Sequence, residues 1–266
     1  MSSSTYEAPG LAADWLNAWL AAVGVTVLVP GMRLSWSDDD PGRARFSLDR
    51  DADPLEAIVD AFPTQEWVDE LPIALEHPDP ACEATAPRNV PIEAYTERAA
   101  LARRMQDRTL GACMTDLVGD ISAGVPNARF NPAVPKGITL WQRLRTNRSA
   151  AVGISDDLSL TMAASLQGRA TRIRGNGLGF DYRRITGASA SGGSDPMVDP
   201  VIETLAFVGL TLFPARGVGD TRPRLRGWTS ERGSPPTFVW PTWSEPLDCW
   251  AIDALLDLGE FGGSTR

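Results

Sequence analysis

Arginine is the residue type in this chain whose placement points most directly to chemistry. Between Arg143 and Arg184 the chain has eight arginines and three aspartates, a local excess of five positive charges. Arg143, Arg145, Arg148, Arg172, Arg174, Arg183 and Arg184 are the candidate phosphate contacts, because a guanidinium fork grips phosphate oxygens in pairs. The same segment contains Gly175-Asn-Gly-Leu-Gly179, where missing side chains would let backbone approach a nucleic-acid phosphate. That stretch has neither the Gly-Lys-Ser/Thr ending nor the Gly-x-Gly-x-x-Gly spacing of a nucleotide loop. A plain tight turn is the competing reading, with the arginines spent on surface or internal ion pairs.

Asp195, Asp199 and Glu203 fall at i, i+4 and i+8, so one helix could line up three carboxylates for a divalent metal in a metal-dependent hydrolase. Both aspartates precede a proline, however, and Asp-Pro is the signature of an N-cap followed by the first helical residue. A helix starting at Asp199 leaves Asp195 outside it and explains the acids through the helix dipole. Nucleophilic catalysis needs a base, and the one histidine, His77, lies in an acidic loop. The expectation is a non-enzyme without cofactor or metal. Cys82, Cys113 and Cys249 are odd in number and form no Cys-x-x-Cys pair, as in reduced cytoplasmic thiols. Trp240-Pro-Thr-Trp243 reads as aromatic packing rather than a sugar platform.

The charges are unevenly spread. Residues 1–100 carry 18 Asp/Glu against 6 Arg, and residues 101–232 carry 18 Arg/Lys against 11 Asp/Glu. The last 34 residues add 5 acids and 1 Arg to a chain whose net charge is −9. This predicts one α+β protein with an acidic lobe over about 1–125 and an Arg-rich lobe over about 126–266, the boundary falling near Pro126–Pro132. The Gly/Ser stretch 186–194 reads as a flexible loop. No Lys or Arg precedes Arg33, and the longest apolar run, Ala18 to Pro30, is too short to span a bilayer. A soluble cytoplasmic protein with no membrane contact is expected.

The elements are mixed helices and short antiparallel strands. Residues 2–10 read as frayed, Trp15 to Val23 as a helix capped by Asp14 and stopped at Gly24, and Val25 to Val29 as a strand. Arg33–Ser37 and Arg43–Leu48 read as a hairpin, Asp53-Pro54 and Thr64 as helix starts, and Pro91–Met105 as an amphipathic helix. Residues 136–148 read as irregular, Ser159–Ala163 as a strand, and the last helix as starting near Pro246 with Leu247, Trp250, Ala251, Ala254, Leu255 and Leu258 as its apolar face. Two stretches near the chain ends align without gaps: Leu20/Leu205, Ala21/Ala206, Val23/Val208, Gly24/Gly209 and Thr26/Thr211 are identical. They predict two similar helix–Gly–strand units, each followed by an Arg-Leu and a Trp.

The quoted residues give the chain a family likeness. Leu16 to Val29 with Arg33-Leu-Ser-Trp36, Gly177-Leu-Gly-Phe-Asp-Tyr-Arg-Arg184, the Asp199 to Gly217 segment, and Trp240-Pro-Thr-Trp243 before a Leu-rich helix resemble CRISPR-associated proteins of type I-U (I-G) systems. The acidic middle, about 50–125, lies outside the resemblance. The resemblance implies a non-catalytic accessory or large-subunit-like component of antiviral defence, acting in or beside a crRNA-guided effector complex. Other CRISPR-associated subunits would be its partners, with crRNA or target DNA contacted through 143–184. Short length and acidity favour the accessory role. The competing class is a protein–protein module with no nucleic-acid contact, whose acidic lobe docks a basic partner.

Overall fold

The structure is a computed structural model, and it describes residues 4–48, 52–68, 89–90, 119–120, 140–175, 177, 197–213, 227–229 and 237–258. It is α+β. A four-stranded antiparallel sheet takes β1 (Thr5–Ala12), β2 (Met32–Trp36), β3 (Arg43–Leu48) and β10 (Leu247–Asp248) in the order β1-β3-β2-β10. The helices are α1 (Leu16–Leu28), α2 (Pro54–Asp60), α3 (Leu140–Gly153), α4 (Leu158–Leu166), α5 (Pro200–Gly209) and α6 (Cys249–Asp257). Three two-residue pairs complete the set: β4 (Asn89–Val90) with β5 (Gly119–Asp120), β6 (Ile173–Arg174) with β7 (Met197–Val198), and β8 (Trp228–Thr229) with β9 (Thr237–Phe238).

The β2–β3 hairpin follows its sequence pattern. Met32, Leu34 and Trp36 turn inward opposite Leu48, Phe46 and Ala44, all buried, while Arg33 alternates away from them. Asp53 caps α2 by accepting from the Leu55 N–H at 2.8 Å, with Pro54 at the first helical position. Thr64 opens the helical turn 65–68 as expected, its Oγ1 accepting from the Trp67 N–H at 3.2 Å.

Other expectations are corrected. The segment read as frayed forms β1 from Thr5 onward, with Thr5 opposite Ser47 and Tyr6 opposite Phe46. Its Pro9 and Gly10 fall between Ala8 and Ala12, where the register shifts; β1 is an edge strand, the place a sheet tolerates proline. The helix expected to stop at Gly24 continues to Leu28, so Val25–Leu28 is helical despite its β-branched residues. Trp15, not Asp14, occupies the N-cap, and no side chain caps it. Residues 140–148, read as irregular, lie in α3, and Ser159–Ala163, read as a strand, lies in α4 behind the Asp157 cap. The last helix buries Cys249, Ile252 and Leu256, whereas Trp250 and Leu258 face out.

Tertiary burial explains the largest of these corrections. Every residue of α1 from Asn17 to Thr26 is buried, and so is all of α5. A helix apolar on all sides has no amphipathic stripe and sits in the middle of a core. α1 crosses α5 at the aligned glycines: a Cβ on Gly24 would strike the Leu205 carbonyl and stand 2.9 Å from the Gly209 N. Reciprocally, a Cβ on Gly209 would strike the Leu20 carbonyl. The two similar units are therefore paired buried helices. The second runs from α5 into a 3-10 turn at Leu210–Leu212, and the first meets its strand only at Met32, after Gly31 turns the chain at φ +79°.

A group of aromatic residues joins the same segments to the sheet. The Trp19 Nε1–H donates to the Pro241 carbonyl at 2.9 Å, and the Trp243 Nε1–H to the Leu34 carbonyl at 2.7 Å. The Trp36 N–H donates to the Trp243 carbonyl at 2.8 Å. Trp243 meets Trp19 and Trp36 edge-on at 6.4 and 6.3 Å, and Trp19 meets Phe213 at 5.9 Å. The hydrophobic core thus draws on residues from Ala8 to Leu256. The expected lobe boundary, the helix at 91–105, His77, Cys82 and Cys113 lie outside the described residues.

Candidate functional site: a buried polar seam beside the arginine segment

Where α1, α3, α4 and α5 meet, polar residues run through an otherwise apolar interior. Asn17, Arg143, Asn147, Ser165, Asp199, Glu203 and Thr204 are all buried there. Asp199 caps α5, its Oδ1 accepting from the Val201 and Ile202 N–H groups at 3.0 and 3.3 Å and from the Ser165 hydroxyl at 3.0 Å. One turn on, the Glu203 Oε1 accepts from the Asn17 Nδ2–H at 2.6 Å. The sequence reading that assigned these acids to a cap and a first helical turn agrees with this geometry. Among the described residues no group of three or more His, Cys, Asp or Glu is placed to hold a metal ion, and Asp195 lies outside them.

Burial raises the Asp199 carboxyl above its ordinary 3.8; the bonds from Ile202, Ser165 and Val201 and the charge of Arg172 oppose that rise. Arg172, half-buried, holds its guanidinium carbon 5.5 Å from the centroid of the Trp15 ring, a cation–π contact. Its charge also acts on the buried Asp199 carboxylate.

Gly177 ties the seam to the arginine segment. Its carbonyl accepts from Arg143 Nη1 at 2.6 Å, and a Cβ added to it would overlap the Glu203 carboxyl group. Gly175 packs nearby, where a Cβ would stand 3.3 Å from Val198 Cγ2. Glycine is required at 177 because a buried carboxylate already fills the space a side chain would need.

The candidate arginines divide by position. Arg143 is 2% exposed and bonded to the interior through Gly177. Arg148 braces α3 against the chain after α2, its Nε donating to the Pro63 carbonyl and its Nη1 to Gln65 Oε1, both at 3.0 Å. Arg145 on α3 and Arg174 on β6 are exposed, and Arg172 is half-exposed. Arg183 and Arg184 lie outside the described residues. β6 pairs with β7, setting Ile173 opposite Val198 and Arg174 opposite Met197.

Asn17, Asn147 and Ser165 are missed by sequence reasoning about chemistry. Asn17 carried the one legible signal, an amide inside the run Trp15-Leu-Asn-Ala-Trp-Leu, whose other side chains are apolar. Its partner is 186 positions away, and nothing local identifies it. A scan against protein-family models finds no match to this chain, and searches of curated proteins and of solved structures find none either.

Proposed function

We propose that this chain is a non-catalytic CRISPR-associated subunit of a type I-U (I-G) system, working by binding within or beside a crRNA-guided effector complex. One observation carries the reading. Segments that hold the family likeness come from the two ends of the chain, and they meet in one unit: α1 on α5 at Gly24 and Gly209, and Trp243 against both Trp19 and Trp36. Residues that serve as a shared scaffold suit a protein whose work is done on its surface. Among the candidate arginines, exposed Arg145 and Arg174 and half-exposed Arg172 would make the phosphate contacts to crRNA or target DNA in this reading.

Filter binding with single-stranded and duplex nucleic acid at low and high salt tests this. Neutralising Arg145, Arg172 and Arg174 together should cut retention and flatten its salt dependence, since each phosphate contact contributes to the salt slope. Retention that does not change with salt, by the protein alone and in its complex, removes the nucleic-acid role.

A second reading keeps the subunit role without nucleic acid, and the bonds that Arg143 and Arg148 make to carbonyls of the chain itself favour it. Under that reading the triple neutralisation leaves capture by the other CRISPR-associated subunits unchanged, and the wild-type protein retains no nucleic acid.

A further inference from the structure

β1 is an end strand of the four-stranded sheet, and among the described residues only β3 pairs with it. The strand at the other end, β10, is two residues long, whereas β1 has eight. A long edge presents main-chain N–H and C=O groups to which a strand of a second molecule can pair. The last turn of α4 meets β1 at its main chain. Gln167, the C-cap of α4, donates from Nε2 to the Glu7 carbonyl at 2.9 Å and to the Tyr6 hydroxyl at 3.1 Å. Carbonyls of a strand lie in the plane of the sheet, so a donor outside β3 reaches one from the unpaired side. Three residues on, a Cβ added to Gly10 would strike the Ser165 carbonyl and stand 2.8 Å from the Leu166 carbonyl. The turn that makes both contacts is itself fixed. The Gly168 N–H donates to the Ser165 carbonyl at 3.0 Å and the Arg169 N–H to the Ala164 carbonyl at 2.8 Å, the two bonds of a Schellman motif.

We propose that the C-terminal turn of α4 is a clasp that closes the free edge of β1 and keeps two copies of the chain from pairing there. A single glutamine hydrogen bond would be ordinary. Here it coincides with other features that oppose strand pairing. Pro9 has no N–H to offer and lies between Ala8 and Ala12, where the register with β3 shifts. Glu7 adds an exposed charge, its carboxylate 3.8 Å from Arg45 Nε. Proline, irregular register, charge and a covering helix are the separate means by which natural sheets guard their edges, and all four fall on β1. Without the clasp, β1 of one copy would pair antiparallel with β1 of another about a two-fold axis, a contact that uses the same edge twice and closes on itself. β10 is too short to extend the sheet from the other end, so the product is a dimer and not a filament.

Sedimentation of the full chain over a concentration series, with hydrogen exchange on the same samples, tests this. Gln167→Ala/Pro9→Val removes the donor and restores a main-chain N–H. As concentration rises, this variant should double its sedimenting mass relative to wild type, and the amides of Thr5–Ala8 should exchange more slowly in the associated form. Adding Thr5→Lys at exposed Thr5 should return the mass to that of wild type, because an edge lysine opposes strand pairing. That reversal separates edge pairing from aggregation of a destabilised chain. Tryptophan fluorescence reports whether the double variant folds. If it does not, Gln167→Ala alone carries the same comparison, since Gln167 is half-buried and its two bonds lie at the surface and its margin. Unchanged mass in the folded variant overturns the proposal. So does association that Thr5→Lys leaves in place, or a wild-type chain already paired through residues 5–8.

Discussion

Gly24 and Gly209 each lie against the backbone of the helix that carries the other: Gly24 on the Leu205 carbonyl, Gly209 on the Leu20 carbonyl. In an open helix Gly→Ala would stabilise by about 1 kcal/mol through propensity. Here the added methyl meets main chain, which cannot swing aside. Gly24→Ala or Gly209→Ala should therefore destabilise by about 2–3 kcal/mol, as overpacked cores do, read as a lower urea midpoint at unchanged slope. A gain in stability from either change would mean that the helices do not cross this closely.

Gly177 and Glu203 make the equivalent close contact in the polar seam. Gly177→Ala should destabilise by about 1–3 kcal/mol by displacing a buried carboxylate. Glu203→Leu, which leaves the buried Asn17 amide without its acceptor, should cost about 1–3 kcal/mol. Glu203→Gln keeps an oxygen acceptor for Asn17 and should recover part of that loss. If the Gln and Leu variants melt together, the Asn17–Glu203 hydrogen bond contributes nothing.

Arg143 and Arg145, two positions apart, should differ sharply. Arg143→Ala removes a buried, charge-assisted bond to the Gly177 carbonyl and should cost about 2–3 kcal/mol. Arg145→Ala, on the exposed side of α3, should stay within about 0.5 kcal/mol of wild type. Thermal melts of the two variants side by side make the comparison. Equal effects would contradict the assignment of one arginine to the interior and the other to the surface.

Asp199 makes stability depend on pH in a defined direction. Its folded carboxyl titrates above the ordinary 3.8, so between 3.8 and the folded value the native state keeps a proton that the unfolded chain has released. Native stability from this group is therefore greatest at the acid end of that window and falls as pH rises through the folded value. Asp199→Asn removes the ionisation while keeping an acceptor for the helix cap. Its stability relative to wild type should climb as pH rises from about 4 and then level off, in urea melts across a pH series. Asp199→Ala, lacking the cap, should lose about 1 kcal/mol even where Asn does not. A relative stability of the Asn variant that falls with rising pH would mean that the carboxyl is lowered, not raised.

Local chemistry was legible in the sequence wherever neighbours in the chain decide the outcome. Asp53-Pro54 and Asp199-Pro200 mark helix starts because cap and fixed φ act within a turn, and Arg33–Ser37 with Arg43–Leu48 marks a hairpin by alternation across a short turn. The sequence also determined that Leu20–Thr26 and Leu205–Thr211 are alike, and that Trp240 and Trp243 belong to aromatic packing. Only tertiary structure decided that neither stretch becomes a strand after its glycine: the first stays helical to Leu28 and the second passes into a 3-10 turn at Leu210–Leu212. Val25–Leu28 has β-branched residues and a glycine before it, but its burial against α5 outweighs a propensity difference of less than about 1 kcal/mol per residue. Tertiary contact likewise divided the arginines: Arg143 turns inward because the Gly177 carbonyl, 34 positions away, lies within 2.6 Å, whereas Arg145 has solvent beside it. Composition counts both as one positive charge. Which charge is buried depends on segments far apart in the chain folding against one another, and no local pattern encodes that distance.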